Sequence, residues 1–239
     1  MNTKFLSALT ATAAATALFG AAAPAHAFSF GTNAIQFEND TEVTFNFKQS
    51  YGLFTSSLGV YGVSGGTPTF LKTLFSEVKP SDDGGANNYK GTLGNTVLGS
   101  GIAKYTFLAN QIYTLGLKSV LGDGSDMGTV FSTSALNVKS GGTQQALFFN
   151  PNALLPQIVN ASDNAGFAGT LTNFTSGNSL FGGGTAISFD DRGNGADGDF
   201  QDFTVTASAV PEPMTMSGLA LGLGGLVAAR RRRGSKTAS

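Results

Sequence analysis

The chain has 239 residues and is almost neutral, with 14 Lys and Arg against 15 Asp and Glu. It has no cysteine, and its one histidine is His26, close to the amino terminus. Beyond residue 27, Ser-His-Asp and Cys-His catalytic arrangements and the usual His and Cys zinc sites are therefore excluded. An exported domain made from this chain would also have to fold without disulfides.

The first 27 residues are predicted to be a removable signal peptide. They contain Lys4, an apolar run rich in alanine and leucine, and then Ala25 and Ala27 in an A-x-A arrangement around His26. This order of a positive residue, an apolar run and small residues is what signal peptidase recognises. The alternative, a helix kept in the mature protein, fits less well with the dominance of alanine and the cleavage site that follows.

Residues 28–209 are predicted to form one β domain. In TEVTFNFKQSYG, Val43, Phe45 and Phe47 alternate with polar residues, as in a strand with one buried face. Similar segments are LFTSSLGVYGV, AKYTFLANQIYTLGL, QQALFF, GTLTNF, TAISF and DFTVTASAV. Clusters such as SGGTP, KPSDDGGANN and GDGSDMG are expected to be the turns between strands.

The number and spacing of these segments predict an all-β fold, an antiparallel β-sandwich of jelly-roll type. An N-terminal signal helix and a C-terminal hydrophobic helix are expected to flank it. The alternative is a Gly-, Ser- and Asn-rich segment without fixed structure, but the many phenylalanines provide more apolar area than such segments usually carry.

The net charge of this body differs from that of the whole chain. Residues 28–209 have eight Lys and Arg against fourteen Asp and Glu, a net charge of −6. Nucleic acid is therefore not an expected partner, since such binding depends mainly on neutralising phosphates.

One acidic segment, SFDDRGNGADGDFQDFTV, is a candidate calcium site. Its oxygen-bearing residues are Asp190, Asp191, Asn194, Asp197, Asp199 and Asp202, separated by three glycines. Ca²⁺ takes six to eight oxygen ligands on flexible backbone, and a cation would offset the repulsion between the carboxylates. The spacing is not that of an EF-hand, and a solvated acidic turn remains the competing interpretation. GDGSDMG, with Asp123 and Asp126, is expected to be only a turn.

Carboxylates are also the only catalytic acids and bases left in the body. Glu38, Glu42, Glu77 and the acidic segment could supply the pair that a glycoside hydrolase needs. The absence of tryptophan weakens this alternative, because sugar-binding clefts often stack the ring on an aromatic platform. No catalytic residues are predicted, and the chain is expected not to be an enzyme.

The tail, residues 210–239, has three parts in order. Pro211, Glu212 and Pro213 precede an apolar segment, residues 214–229, which is followed by Arg230, Arg231, Arg232 and Arg233. Sixteen helical residues rise about 24 Å, short of a hydrocarbon core of about 30 Å, so the segment suits a temporary membrane stop. The arginines are expected to hold its C-terminal end in the cytoplasm, with the β domain in the periplasm.

The tail resembles the PEP-CTERM sorting signal of Gram-negative bacteria. This resemblance implies an exosortase substrate: a membrane protease cuts near Pro-Glu-Pro and delivers the domain outside, commonly in bacteria that make exopolysaccharide. The body, through VTFNF, SSLGVYGV and DGDFQDFTV, loosely resembles an exported β domain of unknown function in cyanobacteria and proteobacteria. The expected function is a non-enzymatic surface or extracellular-matrix protein, associated with exopolysaccharide and stabilised by Ca²⁺, that passes through the inner membrane only transiently.

Overall fold

A computed structural model describes residues 28–87, 89–150, 180–191 and 200–210. Within these ranges the chain forms eleven strands: β1 (Phe28–Phe30), β2 (Ile35–Phe37), β3 (Thr41–Ser50), β4 (Thr55–Ser64), β5 (Thr67–Ser76), β6 (Ile102–Phe107), β7 (Tyr113–Val120), β8 (Asp126–Phe131), β9 (Ala146–Phe149), β10 (Thr185–Phe189) and β11 (Phe203–Ala209). The only helical elements in the described part are two short 3₁₀ turns, Ser134–Leu136 and Val138–Ser140.

The strands form two antiparallel sheets. The first has the order β1-β2-β7-β4-β5, with β8 also paired to β7, and the second has the order β6-β3-β11-β10-β9. The predicted all-β fold with antiparallel sheets is therefore confirmed. The predicted signal and tail helices lie outside the described residues, and within the described ranges no helix has the length and apolarity needed to cross a bilayer.

Alternation of apolar and polar residues decides which face of each strand is buried. Val43, Phe45 and Phe47 on β3 point inward as predicted, and their polar neighbours are more exposed. Their partners in the core come from both sheets and include Leu58, Val60, Phe107, Leu115, Leu117, Phe189, Phe203 and Val205. This shared core holds the two sheets together without a disulfide.

Some strand boundaries differ from the sequence prediction. SGGTP was expected to be a turn, but only its glycines turn, and Thr67 and Pro68 already pair with β4. GDGSDMG was also expected to be a turn, but Asp126 begins β8. The predicted strand GTLTNF lies outside the described residues.

The first described strand begins, and the last one ends, at the same end of the sandwich. The Phe28 ring packs edge-on against Phe181, with 4.9 Å between ring centroids. Next to Phe181, the Leu180 carbonyl accepts a hydrogen bond from the Ala209 amide at 2.9 Å. We call this end the terminal end. The opposite end, where β3 and β5 finish and β4 begins, is the distal end.

Candidate functional site

Buried carboxyl groups collect at the distal end. Three of the six predicted calcium ligands are described there: Asp190, Asp191 and Asp202 are all buried. These three residues, at the two ends of the acidic segment, are therefore not solvated. The other three predicted ligands, Asn194, Asp197 and Asp199, lie outside the described residues.

Asp191 and Asp202 close the base of the acidic segment. The Asp191 amide donates a hydrogen bond to Asp202 Oδ2 at 2.7 Å. The Asp202 carbonyl in turn accepts one from the Tyr51 amide at 3.1 Å, which ties this segment to the loop between β3 and β4. The acidic segment therefore starts and finishes on the same small area of the distal end.

A glycine makes room for both carboxylates. Gly52 has a φ of +108°, and a Cβ atom there would lie 3.1 Å from Asp202 Oδ1 and 3.6 Å from Asp191 Oδ2. By the sum of these distances, the two oxygens are at most 6.7 Å apart. Among the described residues, no three acidic side chains are grouped to hold a metal ion.

Glu77 is the fourth buried acid at the distal end, and it joins the two sheets. Its Oε1 accepts a hydrogen bond from Ser50 Oγ at the end of β3. Its Oε2 accepts one from the Ser56 amide at the start of β4, at 2.6 Å. Burial raises the pKa of Glu77 to about 8, and these hydrogen bonds only partly offset that effect. Glu77 is therefore largely protonated at neutral pH.

The other two glutamates considered for catalysis lie elsewhere. Glu42 is exposed on β3 and forms a 2.7 Å ion pair with Lys104 of β6. Glu38 is exposed after β2 at the terminal end. The structure therefore separates Glu38 from the distal acids and leaves Glu42 on an outer face in water.

Asp82 fixes the long connection between β5 and β6, residues 77–101. Its carboxylate accepts hydrogen bonds from the Thr92 amide and hydroxyl, at 3.1 and 2.6 Å, and from the Thr96 hydroxyl at 2.7 Å. Burial opposes ionisation, but these donors and the charge of Lys79 lower the pKa of Asp82 below its ordinary value. Ionised Asp82 therefore holds the two halves of this connection together through hydrogen bonds.

Asp123 and Asp126 serve local structure. Asp123 Oδ1 accepts a hydrogen bond from the Ser125 amide at 2.8 Å, in an Asx turn. Asp126 Oδ1 accepts one from the Gly128 amide at 2.9 Å, and its Oδ2 lies 3.3 Å from Lys118 Nζ. The predicted turn is thus present at Asp123, and Asp126 fixes the start of β8.

The outer face of the first sheet carries a strip of aromatic rings. Tyr61 packs edge-on against Phe70 of β5 and Phe131 of β8, with centroids 5.5 and 5.3 Å apart. A Cβ at Gly116 would lie only 2.5 Å from Tyr61 Cε2, so the ring needs glycine beneath it. This covering of a strand glycine by a cross-strand aromatic ring is a known means of stabilising sheets.

Comparison with protein-family models, curated proteins and solved structures gives no match. The interpretation of the distal acids therefore rests on their own geometry. Sequence reasoning found Asp190, Asp191 and Asp202 through their density in the chain. The position of Gly52 beside these acids was not predicted, and Glu77 was named as an acid without the two serines that hold it.

Proposed function

We propose that the chain is an exported, non-enzymatic surface or extracellular-matrix protein, sorted and processed through its C-terminal signal. One observation carries this proposal: Pro211-Glu212-Pro213, an apolar segment and four arginines occur in order behind a signal peptide. Signal peptidase and an exosortase are the processing partners, and the inner membrane holds only an intermediate. Exopolysaccharide is the proposed matrix partner.

The described strands all lie between the two proposed cleavage sites, which is compatible with this proposal. Strand β1 includes Phe28, which directly follows the proposed signal-peptidase site. Strand β11 ends at Ala209, two residues before Pro211. Cutting after Ala27 and at the Pro-Glu-Pro segment would therefore leave every described strand intact, as release of a folded domain requires.

Calcium binding by the acidic segment is a further part of the proposal. The converging oxygens of Asp191 and Asp202 are hard donors of the kind Ca²⁺ prefers. Jelly-roll connectivity of the sandwich and helical structure in the two terminal segments also belong to the proposal.

The competing function, a secreted carbohydrate-active enzyme with two carboxylates, has less support. Its catalytic acids must face each other across an open cleft, roughly 5 to 10 Å apart. Asp191 and Asp202 have oxygens at most 6.7 Å apart, but both side chains are buried against Gly52 and do not line an open cleft. Glu42 is held by Lys104 on an exposed strand face.

The proposal is tested by following where the full chain goes in its native host. Replacing Pro211, Glu212 and Pro213 with alanine should keep the protein in the inner membrane and remove it from the surface and the medium. The matched control replaces Gly234, Ser235 and Lys236, beyond the arginines, and should be delivered normally. Unchanged delivery of the Pro-Glu-Pro variant would refute the proposal.

A further inference from the structure

Both ends of the β domain leave the sandwich at the terminal end. Phe28 and Ala209 contact the adjacent residues Phe181 and Leu180, so the two exits share one neighbourhood. Ala209 is paired with Val43 of β3 and is thus held within the second sheet. The chain beyond β11 therefore starts from a fixed point on this end.

The connection from that fixed point to the apolar tail segment is short. Only residues 210–213 separate Ala209 from Met214. Five Cα-to-Cα steps span at most about 18 Å when fully extended. A tail anchored in the inner membrane would therefore hold the terminal end close to the bilayer. An enzyme that cuts at residues 211–213 would therefore have to work in the narrow gap between the terminal end and the bilayer.

A rigid loop stands beside this gap. The loop is residues 108–112, between β6 and β7, and it follows Phe107, which pairs with Thr41 at the start of β3. Its backbone is fixed by hydrogen bonds from the Asn110 amide to the Phe37 carbonyl, 2.8 Å, and from the Ala109 amide to Asp40 Oδ1, 2.8 Å.

This loop presents apolar side chains to the outside. Leu108 is 51% exposed and Ile112 is 45% exposed. Beside the loop lies an open groove of about 310 Å³, lined by Phe28, Ser29, Gln36, Phe37, Glu38 and Asn110. The terminal end thus combines a fixed apolar loop, a groove and both chain exits.

The charge of this end favours a protein over lipid as the contact. Among the described residues that line the groove or form the loop and its support, 28–29, 36–40 and 108–112, Glu38 and Asp40 are acidic and none is basic. Anionic lipid surfaces attract basic segments and repel acidic ones. Exposed apolar residues on a rigid support are instead typical of protein contact surfaces.

We propose that the terminal end of the sandwich, centred on Leu108 and Ile112, is the surface that the membrane-embedded processing protease contacts while it cuts the tail. This inference rests on the proposed function, because it requires a tail that is membrane-anchored and cleaved. The inference goes beyond that function in one respect: the protease contacts the folded domain as well as the tail.

The test measures the rate of tail removal from the full chain by pulse-chase in the native host. The test variant is Leu108→Glu with Ile112→Glu. The matched control is Leu53→Glu with Val78→Glu, because these distal residues are exposed to 51% and 59%. We expect tail removal to slow at least fivefold in the test variant and to stay within twofold of wild type in the control.

A second chain carries the test substitutions plus ten Gly and Ser residues inserted between Val210 and Pro211. The insert adds up to about 33 Å of reach, so the protease no longer has to touch the terminal end. We expect the rate to return to within twofold of wild type. A rate that stays low would overturn the inference, because the substitutions would then slow cutting even where the short connection no longer forces the contact.

The Pro-Glu-Pro alanine variant separates the two proposals. If it is not processed, and the Leu108 and Ile112 variant is cut like the distal control, the sorting function stands and the contact surface is wrong. If the alanine variant is processed normally, the sorting function fails, and the contact surface fails with it.

Discussion

Replacing Glu77 with glutamine tests whether this carboxyl group at the distal end is buried and protonated. Its pKa rises from 4.5, the ordinary value, to about 8 in the folded protein. The folded state therefore holds one more proton than the unfolded chain between these pH values. The stabilisation is fully present below about pH 4.5 and is lost as the pH rises towards about 8. Each pKa unit corresponds to about 1.4 kcal/mol, so the loss is at most about 5 kcal/mol.

Glutamine keeps the shape of protonated Glu77 and cannot ionise. Its carbonyl can accept from the Ser56 amide, and its amide can donate to Ser50 Oγ, so both contacts of Glu77 are preserved. We expect Glu77→Gln to be more stable than wild type by only about 1 to 2 kcal/mol near pH 5.5, because wild type has lost about one pKa unit of stabilisation by that pH. Near pH 8.5 it should be more stable than wild type by several kcal/mol, because wild type must then bury a charge.

The assay is urea unfolding of residues 28–210, followed by circular dichroism at about six pH values between about 5.5 and 8.5. This part of the chain has no histidine. The new α-amino group titrates in both proteins and cancels in their difference. Glu42→Gln, which removes an exposed acid, is the control and should run parallel to wild type. Parallel profiles for wild type and Glu77→Gln would refute the assignment of a buried, protonated Glu77.

Three other predictions follow from the same structure. Gly116→Ala should destabilise the domain by about 1 to 3 kcal/mol, because the new methyl group overlaps the Tyr61 ring; in urea unfolding, adding Tyr61→Ala should cost less than the sum of the single changes. Asp82→Ala should cost about 1 to 2 kcal/mol at neutral pH, and the difference should shrink as the pH falls from 3.8 through the lowered pKa of folded Asp82, because the stabilisation of the carboxylate is lost over that range. Millimolar Ca²⁺ should raise the thermal midpoint relative to EDTA, and at a thousandfold excess over Kd it should add up to about 4 kcal/mol to the free energy of unfolding. Replacing Asp197 and Asp199 with alanine should abolish this rise.

Strict alternation is the reason that β3 could be predicted. Val43, Phe45 and Phe47 all face the core, and no irregularity interrupts their period. Strand β5 was missed because Phe70 and Leu71 are adjacent and both exposed, and its pairing with β4 shifts register at two places. Strands β1 and β2 have three residues each, too few to show a period.

For the buried acids at the distal end, the sequence predicts the composition of the site but not its geometry. The sequence places Asp190, Asp191 and Asp202 in one segment, and their density indicates that their charge must be compensated. Their closeness to Gly52 depends on pairing between β3 and β11, elements separated by about 150 residues along the chain. Likewise, the raised pKa of Glu77 comes from burial, which no local pattern around residue 77 reveals.

The most direct test of the central claim is the intact mass of the protein recovered from outside the native host. The account predicts a chain that begins at Phe28 and ends within or just after residues 211–213, with no material from residues 214–239. Recovery of a chain that still carries residues 1–27 or the arginine cluster, or of no protein outside the cell, would contradict export and sorting by this tail.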